Sequence, residues 1–182
     1  MPTEKTKPFK IFKERPVEFF LKRLYSEYAS IPINVIVIIC PFIGALESSN
    51  FSLKKICQRM DSKKVPIRII TTTPTDTYQK DAINVLSDFK CTEISYNDSL
   101  HAKVYICNCK DESHSFSMFG SCNLTTQSIE QNIEIGIMVF GHGEGQNVNR
   151  ELNQWFYKLR TLQNTKCVKH INGQLKEQRK IR

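Results

Sequence analysis

The first features of this 182-residue chain are absences. No apolar run is long enough to cross a bilayer: the longest, Ile33–Leu46, is broken by Asn34, Pro41 and Gly44, and a helical span needs roughly 20 apolar residues. The N-terminus is lysine-rich and lacks the apolar centre of a secretory signal. Seven cysteines, an odd number scattered along the chain, are therefore expected as thiols in a reducing cytoplasm rather than as a disulfide framework. Cys107-x-Cys109 is the one close pair; even with His114 nearby, no second pair has the spacing of a zinc site, so no metal and no cofactor is assigned. There is no internal repeat and no recognisable helix-turn-helix or zinc finger, which leaves no module for reading base sequence.

The composition is that of an ordinary globular domain, 40% hydrophobic and 24% charged, and the length suits one core. The formal charge of +8 is uneven. Met1–Arg23 carries +4, Leu24–Tyr157 carries −3 and Lys158–Arg182 carries +7. Basic ends favour polyanions, either nucleic acid or an acidic membrane surface. The expected organisation is a flexible basic arm over 1–15, one domain over 16–165 and a basic tail over 166–182.

Hydrophobic spacing predicts an alternation of helices and strands. Pro16 opens a helix whose apolar residues include Val17, Phe20, Leu21 and Leu24. Asn34–Cys40 and Val65–Thr72 read as strands buried on both faces. Phe51–Met60 and Tyr78–Phe89 read as helices, and Cys91–Tyr96 as a short strand. Phe116–Phe119 is the start of a further strand. Asn147–Leu162 is a last helix with Leu152, Trp155, Phe156 and Leu159 inward, and with Asn149, Arg150, Asn153 and Lys158 as a polar surface. This order predicts an α/β fold with a mixed, largely parallel sheet flanked by helices on both faces, where ligands sit beyond the carboxyl ends of strands.

The chemistry gathers between Leu100 and Phe140. On a strand running through Val104, Tyr105 and Ile106, His101 and Lys103 share one face and Ala102, Val104 and Ile106 the other. Asn123 follows the Gly120-Ser121 turn and precedes a short helical segment, Leu124–Glu130. Glu134 stands among Ile133, Ile135, Ile137 and Val139 in the run Asn132–Phe140, where a carboxylate needs a partner. The second ring nitrogen of a histidine is one such partner. Each pair alone is unremarkable, a surface pair or a turn; their order on consecutive strands is what carries meaning.

His101-x-Lys103 followed by Gly120-Ser121-x-Asn123 resembles the motif of the phospholipase D superfamily, and Glu134 falls where many nuclease members carry a glutamate. The resemblance implies catalysis by His101, Lys103, Asn123 and Glu134, with Lys103, Ser121 and Asn123 holding phosphate. It implies a phosphohistidine intermediate, no metal, and two motifs facing one another. Only one copy is present, since His114, His142 and His170 are not followed by Lys two residues on. A homodimer sharing one active site is therefore expected.

Two departures steer the reading within the superfamily. Its longer motif places an aspartate five positions after the lysine, where this chain has Asn108, and the spacer to Gly120 is lengthened around Asp111–His114. Both resemble the small bacterial nuclease and restriction-enzyme branch. The expected activity is a homodimeric, metal-independent nuclease, on DNA ahead of RNA, in a bacterial defence or restriction setting with possible partner proteins and without a membrane anchor. The alternatives are a lipid hydrolase or transferase, and a nucleic-acid-binding subunit of a larger complex.

Overall fold

The structure is a computed structural model that describes residues 7–27, 30–47, 50–171 and 174–178. Among these residues nine strands form one sheet in the order β1-β7-β6-β5-β2-β3-β4-β8-β9. The centre is β2 (Ile33–Ile39), β3 (Ile67–Thr71) and β4 (Thr92–Tyr96), which pair in parallel. Their connections are α2 (Leu53–Ser62) and α3 (Thr77–Ser87), as crossovers between parallel neighbours require. Asp76 begins α3 with a capping box in which the Gln79 side chain returns to the Asp76 backbone.

The expected α/β sheet with helices on both faces is what forms, but the expectation of a largely parallel sheet is corrected. Only the two central pairings are parallel, and the other six are antiparallel. The reason lies in the connections. No α-helix links β4 to β5 (Val104–Cys109), and only the short 3-10 turn Glu112–His114 lies between β5 and β6 (Phe116–Gly120), while β5 returns to the free side of β2 in the opposite direction. β6 and β7 (Gly136–Phe140) then continue as antiparallel neighbours.

Two further corrections concern the ends. Phe9–Phe12, expected within a loose arm, is an edge strand, β1, antiparallel to β7; its Phe12 ring packs 4.3 Å from Phe19 of α1 (Pro16–Lys22). In the expected tail, β8 (Lys166–Ile171) and β9 (Gln174–Gln178) form a hairpin on the β4 edge. An edge strand is held by main-chain hydrogen bonds, so neither segment needs an apolar alternation to announce it. Within those two segments, residues 1–6, 172–173 and 179–182 lie outside the described residues.

The core is divided by the sheet. On one face α1, α2, α3 and α4 (Thr126–Glu130) cover a large cluster that includes Phe20, Ile36, Ile56, Ile83, Tyr105, Phe116 and Ile129. On the other, α5 (Glu144–Thr161) brings Phe156, with Leu152, Trp155 and Leu159, onto Val37, Ile39, Ile70, Val104 and Ile106. Burying a side chain such as Phe156 completely is worth about 1.5–3 kcal/mol.

Candidate active site

The four motif segments converge at one end of the sheet. β2 ends there at Ile39, β5 begins there at Val104, β6 ends at Gly120 and β7 begins at Gly136. His101 and Lys103 lie in the extended segment just before β5 rather than on the strand itself. The expected alternation nevertheless holds. Leu100, Ala102, Val104 and Ile106 enter the cluster under α5, while His101 between them is exposed.

The loop leading to His101 is anchored on both sides. Asn97 is 4% exposed and donates through Nδ2 to the Thr165 hydroxyl at 2.9 Å, while its Oδ1 accepts from the Ser99 N–H at 3.0 Å. Asp98 accepts from the Thr73 backbone N–H at 2.7 Å and from the Thr73 hydroxyl at 3.1 Å. The Thr73 backbone and side-chain hydrogen bonds hold the Asp98 carboxyl below its ordinary range. Beyond the loop, Lys103 donates through Nζ to the His101 carbonyl oxygen at 2.9 Å, and its own carbonyl accepts from the Gly120 N–H at 3.2 Å.

Gly120 is required by proximity. A Cβ built there would lie 2.1 Å from the Ile135 carbonyl oxygen and 2.7 Å from Gly136 Cα. This close pass sets Ser121 against the start of β7: the Ser121 N–H donates to the Ile135 carbonyl at 3.0 Å, and the Ile135 N–H donates to Ser121 Oγ at 3.1 Å. Ser121 Oγ in turn donates to Glu134 Oε2, and Asn132 Nδ2 donates to Oε1 at 3.2 Å. Glu134 is 8% exposed. Its carboxylate is thus satisfied by Ser121 and Asn132, and within the chain no hydrogen bond joins it to a histidine among the described residues. The apolar neighbours Ile133 and Ile135 face outward, because this stretch precedes β7 rather than belonging to it.

Asn123 sits across the same end, over the last residues of β2. Its Oδ1 faces the Cys40 thiol at 3.5 Å, and the next backbone N–H, that of Leu124, donates to Cys40 Sγ at 3.4 Å. The Tyr105 hydroxyl donates to the Cys122 carbonyl at 2.9 Å and lies 3.5 Å from the same sulfur. Burial pushes the Cys40 thiol up, the Tyr105 phenol well up, and the Cys122 thiol up to about 12. The floor under the Gly-Ser-x-Asn turn is therefore neutral at physiological pH. Cys40 and Tyr105 were not singled out by sequence reasoning; their signal is only that each ends or enters a buried strand next to the motif. An open cleft of about 640 Å³ adjoins Asn123, with the exposed rings of Phe42 and Tyr78 on its walls.

The aspartate missing from the longer motif is accounted for at the other end of β5. Asn108 does not approach His101 or Lys103; it pairs with Asn153 of α5, donating through Nδ2 at 2.6 Å and accepting at 2.8 Å.

Residues 34–160 match the family model described as "Cardiolipin synthase, PLD-like domain". The chain belongs to this family of PLD-like domains, and so to the phospholipase D superfamily of phosphodiesterases. No curated protein matches the sequence. Among solved structures, the chain resembles the phospholipase D family member Nuc from Salmonella typhimurium, with a TM-score of 0.60 at 14% identity over 94% of this chain and 99% of that one. It is similarly close to NucT from Helicobacter pylori, with a TM-score of 0.60 at 16% identity over 89% and 98% of the two chains. Phosphatidylserine synthase from Haemophilus influenzae matches at 0.56 and 13% identity, over 89% of this chain and 40% of its own. At these identities the likeness is one of fold. Among the described residues no helix is long and apolar enough to cross a membrane.

Proposed function

We propose that the protein is a metal-independent nuclease that cleaves phosphodiesters, DNA ahead of RNA, as a homodimer with one composite active site. The observation that carries this reading is the gathering of His101, Lys103, Ser121, Asn123 and Glu134 at one end of the sheet, with the His101 ring exposed. A single chain offers one imidazole, and the reaction needs two, in different protonation states. Histidine supplies both near neutral pH.

In the first half-reaction a ring nitrogen of neutral His101 bonds to phosphorus as the bond to the leaving oxygen breaks, and the charged His101 of the partner subunit gives that oxygen its proton. In the second, the now neutral imidazole takes a proton from water as the water oxygen attacks phosphorus and the P–N bond breaks. Lys103 and the Asn123 amide hold the non-bridging oxygens, each worth about 2.7–4 kcal/mol in comparable oxyanion sites. Glu134, buried and held by Ser121, would accept a histidine N–H once the second copy docks. The basic ends add salt-sensitive backbone affinity. Selectivity for sequence, and a defence or restriction setting, would rest with a partner protein, since no base-reading module is evident.

The test is cleavage of plasmid and single-stranded DNA in EDTA by the wild type and His101→Ala, with mass measured in parallel. EDTA-resistant nicking by a dimer, lost in the variant, supports the reading; a stable monomer that cleaves DNA removes the composite site. Because the matching family description names a lipid enzyme, phosphatidylglycerol vesicles belong in the same assay. Turnover of lipid without nicking would transfer the site to lipid chemistry.

A further inference from the structure

A second cavity, of about 550 Å³, opens at the opposite end of the sheet from His101, between the first half of α5 and the ends of β2, β3 and β5. α5 meets the sheet through apolar residues at Leu152, Trp155, Phe156 and Leu159. Toward the cavity it presents amides. Asn149 and Asn153 face Ser117 and Asn108 of the sheet, so a polar floor replaces the apolar one.

That floor is not closed upon itself. Asn153 is satisfied by Asn108 and by the Asn149 carbonyl, to which its Nδ2 donates at 2.8 Å. Asn149 accepts from the Ser117 hydroxyl through Oδ1, yet its Nδ2 has no partner among the described residues although the residue is only 4% exposed. A buried amide donor left unpaired is destabilising, and a fold does not keep one in a helix–sheet interface without compensation. An acceptor entering the cavity would provide it.

The walls specify the acceptor's chemistry. Arg68 is half-buried, and its Nη1 donates to the Tyr157 hydroxyl at 2.9 Å while its Nε lies 3.4 Å from Glu93. Lys110 and Arg150 add positive charge at the rim, and the one carboxylate of the cavity lining, Glu112, is taken by Arg150 at 3.2 Å and by Gln146 at 2.7 Å. Cations outnumber carboxylates, which selects an anion. The half-exposed Tyr157 ring offers a flat face, and the unpaired Asn149 Nδ2 offers a donor to the edge of a nucleobase. The volume falls in the range of small-ligand sites.

We propose that this cavity binds a mononucleotide, with the phosphate at the Lys110–Arg150 rim and the base between the asparagine floor and Tyr157. The site is separate from the phosphodiester chemistry and does not depend on the nuclease reading. β5 joins the two, carrying Asn108 toward one end and beginning at the other with Val104, next to Lys103.

The experiment is isothermal titration of the full chain carrying His101→Ala, so that no turnover interferes, with the four ribonucleoside monophosphates and with inorganic phosphate. One nucleotide per chain should bind, and more tightly than inorganic phosphate by tenfold or more. Lys110→Glu, at an exposed position and with an unchanged melting temperature, and Tyr157→Ala, which also gives up the Arg68 contact, each added to His101→Ala, should weaken binding at least tenfold. Absence of binding by every nucleotide at millimolar concentration would overturn the proposal. So would inorganic phosphate binding as tightly as the nucleotides, or affinity that is indifferent to both substitutions.

Discussion

The Cys40 thiol lies 3.5 Å from Asn123 Oδ1 and accepts the Leu124 N–H at 3.4 Å, so a buried, neutral sulfur orients the residue on which phosphate is proposed to rest. With Oδ1 turned toward the thiol, the amide donor Nδ2 is left for a non-bridging oxygen. Cys40→Ala removes both contacts and is expected to lower kcat about tenfold, the worth of one or two hydrogen bonds, with KM little changed. Cys40→Ser, which keeps a donor and an acceptor, should recover part of the loss. The wild-type thiol, fully buried and raised above its ordinary range, should resist alkylation in the folded protein at pH 8. Equal losses in the alanine and serine variants would mean that the sulfur only fills space.

Asp98 ties the approach to His101 down onto Thr73. Its carboxyl is held low in the folded state, so its contribution to stability is present above the unfolded aspartate range and is lost as pH falls through the lower folded value. Because the group is exposed, that contribution is small. Asp98→Asn should therefore shift the urea midpoint slightly at pH 7, with the gap to wild type closing in strong acid. Cleavage should fall severalfold at pH 7, as the loop that presents His101 loosens. An activity loss without any change in that pH-dependent gap would show that Asp98 meets substrate rather than Thr73.

How much of this was legible in the sequence depends on what held each segment. Residues read through burial were placed well: Val35, Val37 and Ile39 sit against α5, and Ala102, Val104 and Ile106 turn away from the His101 side as a two-residue period requires. Segments held mainly by main-chain pairing were missed, since Phe9–Phe12 leaves three of its four residues exposed and still forms β1. Ile133 and Ile135 misled in the other direction. Their apolar character suggested strand interior, yet they flank the buried Glu134 on an extended stretch outside the sheet. A histidine was expected as one partner of Glu134; within a single chain its carboxylate is held by Ser121, a contact created by the β6–β7 register and invisible to spacing. Asn149, expected on the polar surface of the last helix, is buried, because the helix's polar face turns toward Ser117 at that level.

If one site needs His101 from both chains, mixed dimers will reveal it. Wild type and His101→Ala are denatured together and refolded in equal amounts, giving a statistical set of dimers in which about a quarter carry two intact histidines. Activity should fall to about that quarter of an all-wild-type sample. Independent sites would leave about half. Lys103→Ala homodimers should retain their mass and lose about a hundredfold or more in rate, the scale of one lost oxyanion donor.

Gly120 and Gly44 provide a matched pair for the close pass that builds the site. At Gly120 an added Cβ meets the Ile135 carbonyl at 2.1 Å, and backbone on both sides leaves no flexible side chain to give way. At Gly44, near the same cleft, the nearest atom is Thr125 Cα at 3.7 Å, an ordinary contact. Gly120→Ala should push β7 away from β6 at their first pair, Gly120 with Gly136, at a cost of about 1–3 kcal/mol as for other overpacked positions. The same displacement separates Ser121 from Glu134, so the rate should drop further than the fraction unfolded explains. Gly44→Ala should leave melting temperature and rate close to wild type. If both alanines behave alike, the ladder between β6 and β7 is not what positions Glu134, and its placement must come from the Asn132 contact instead.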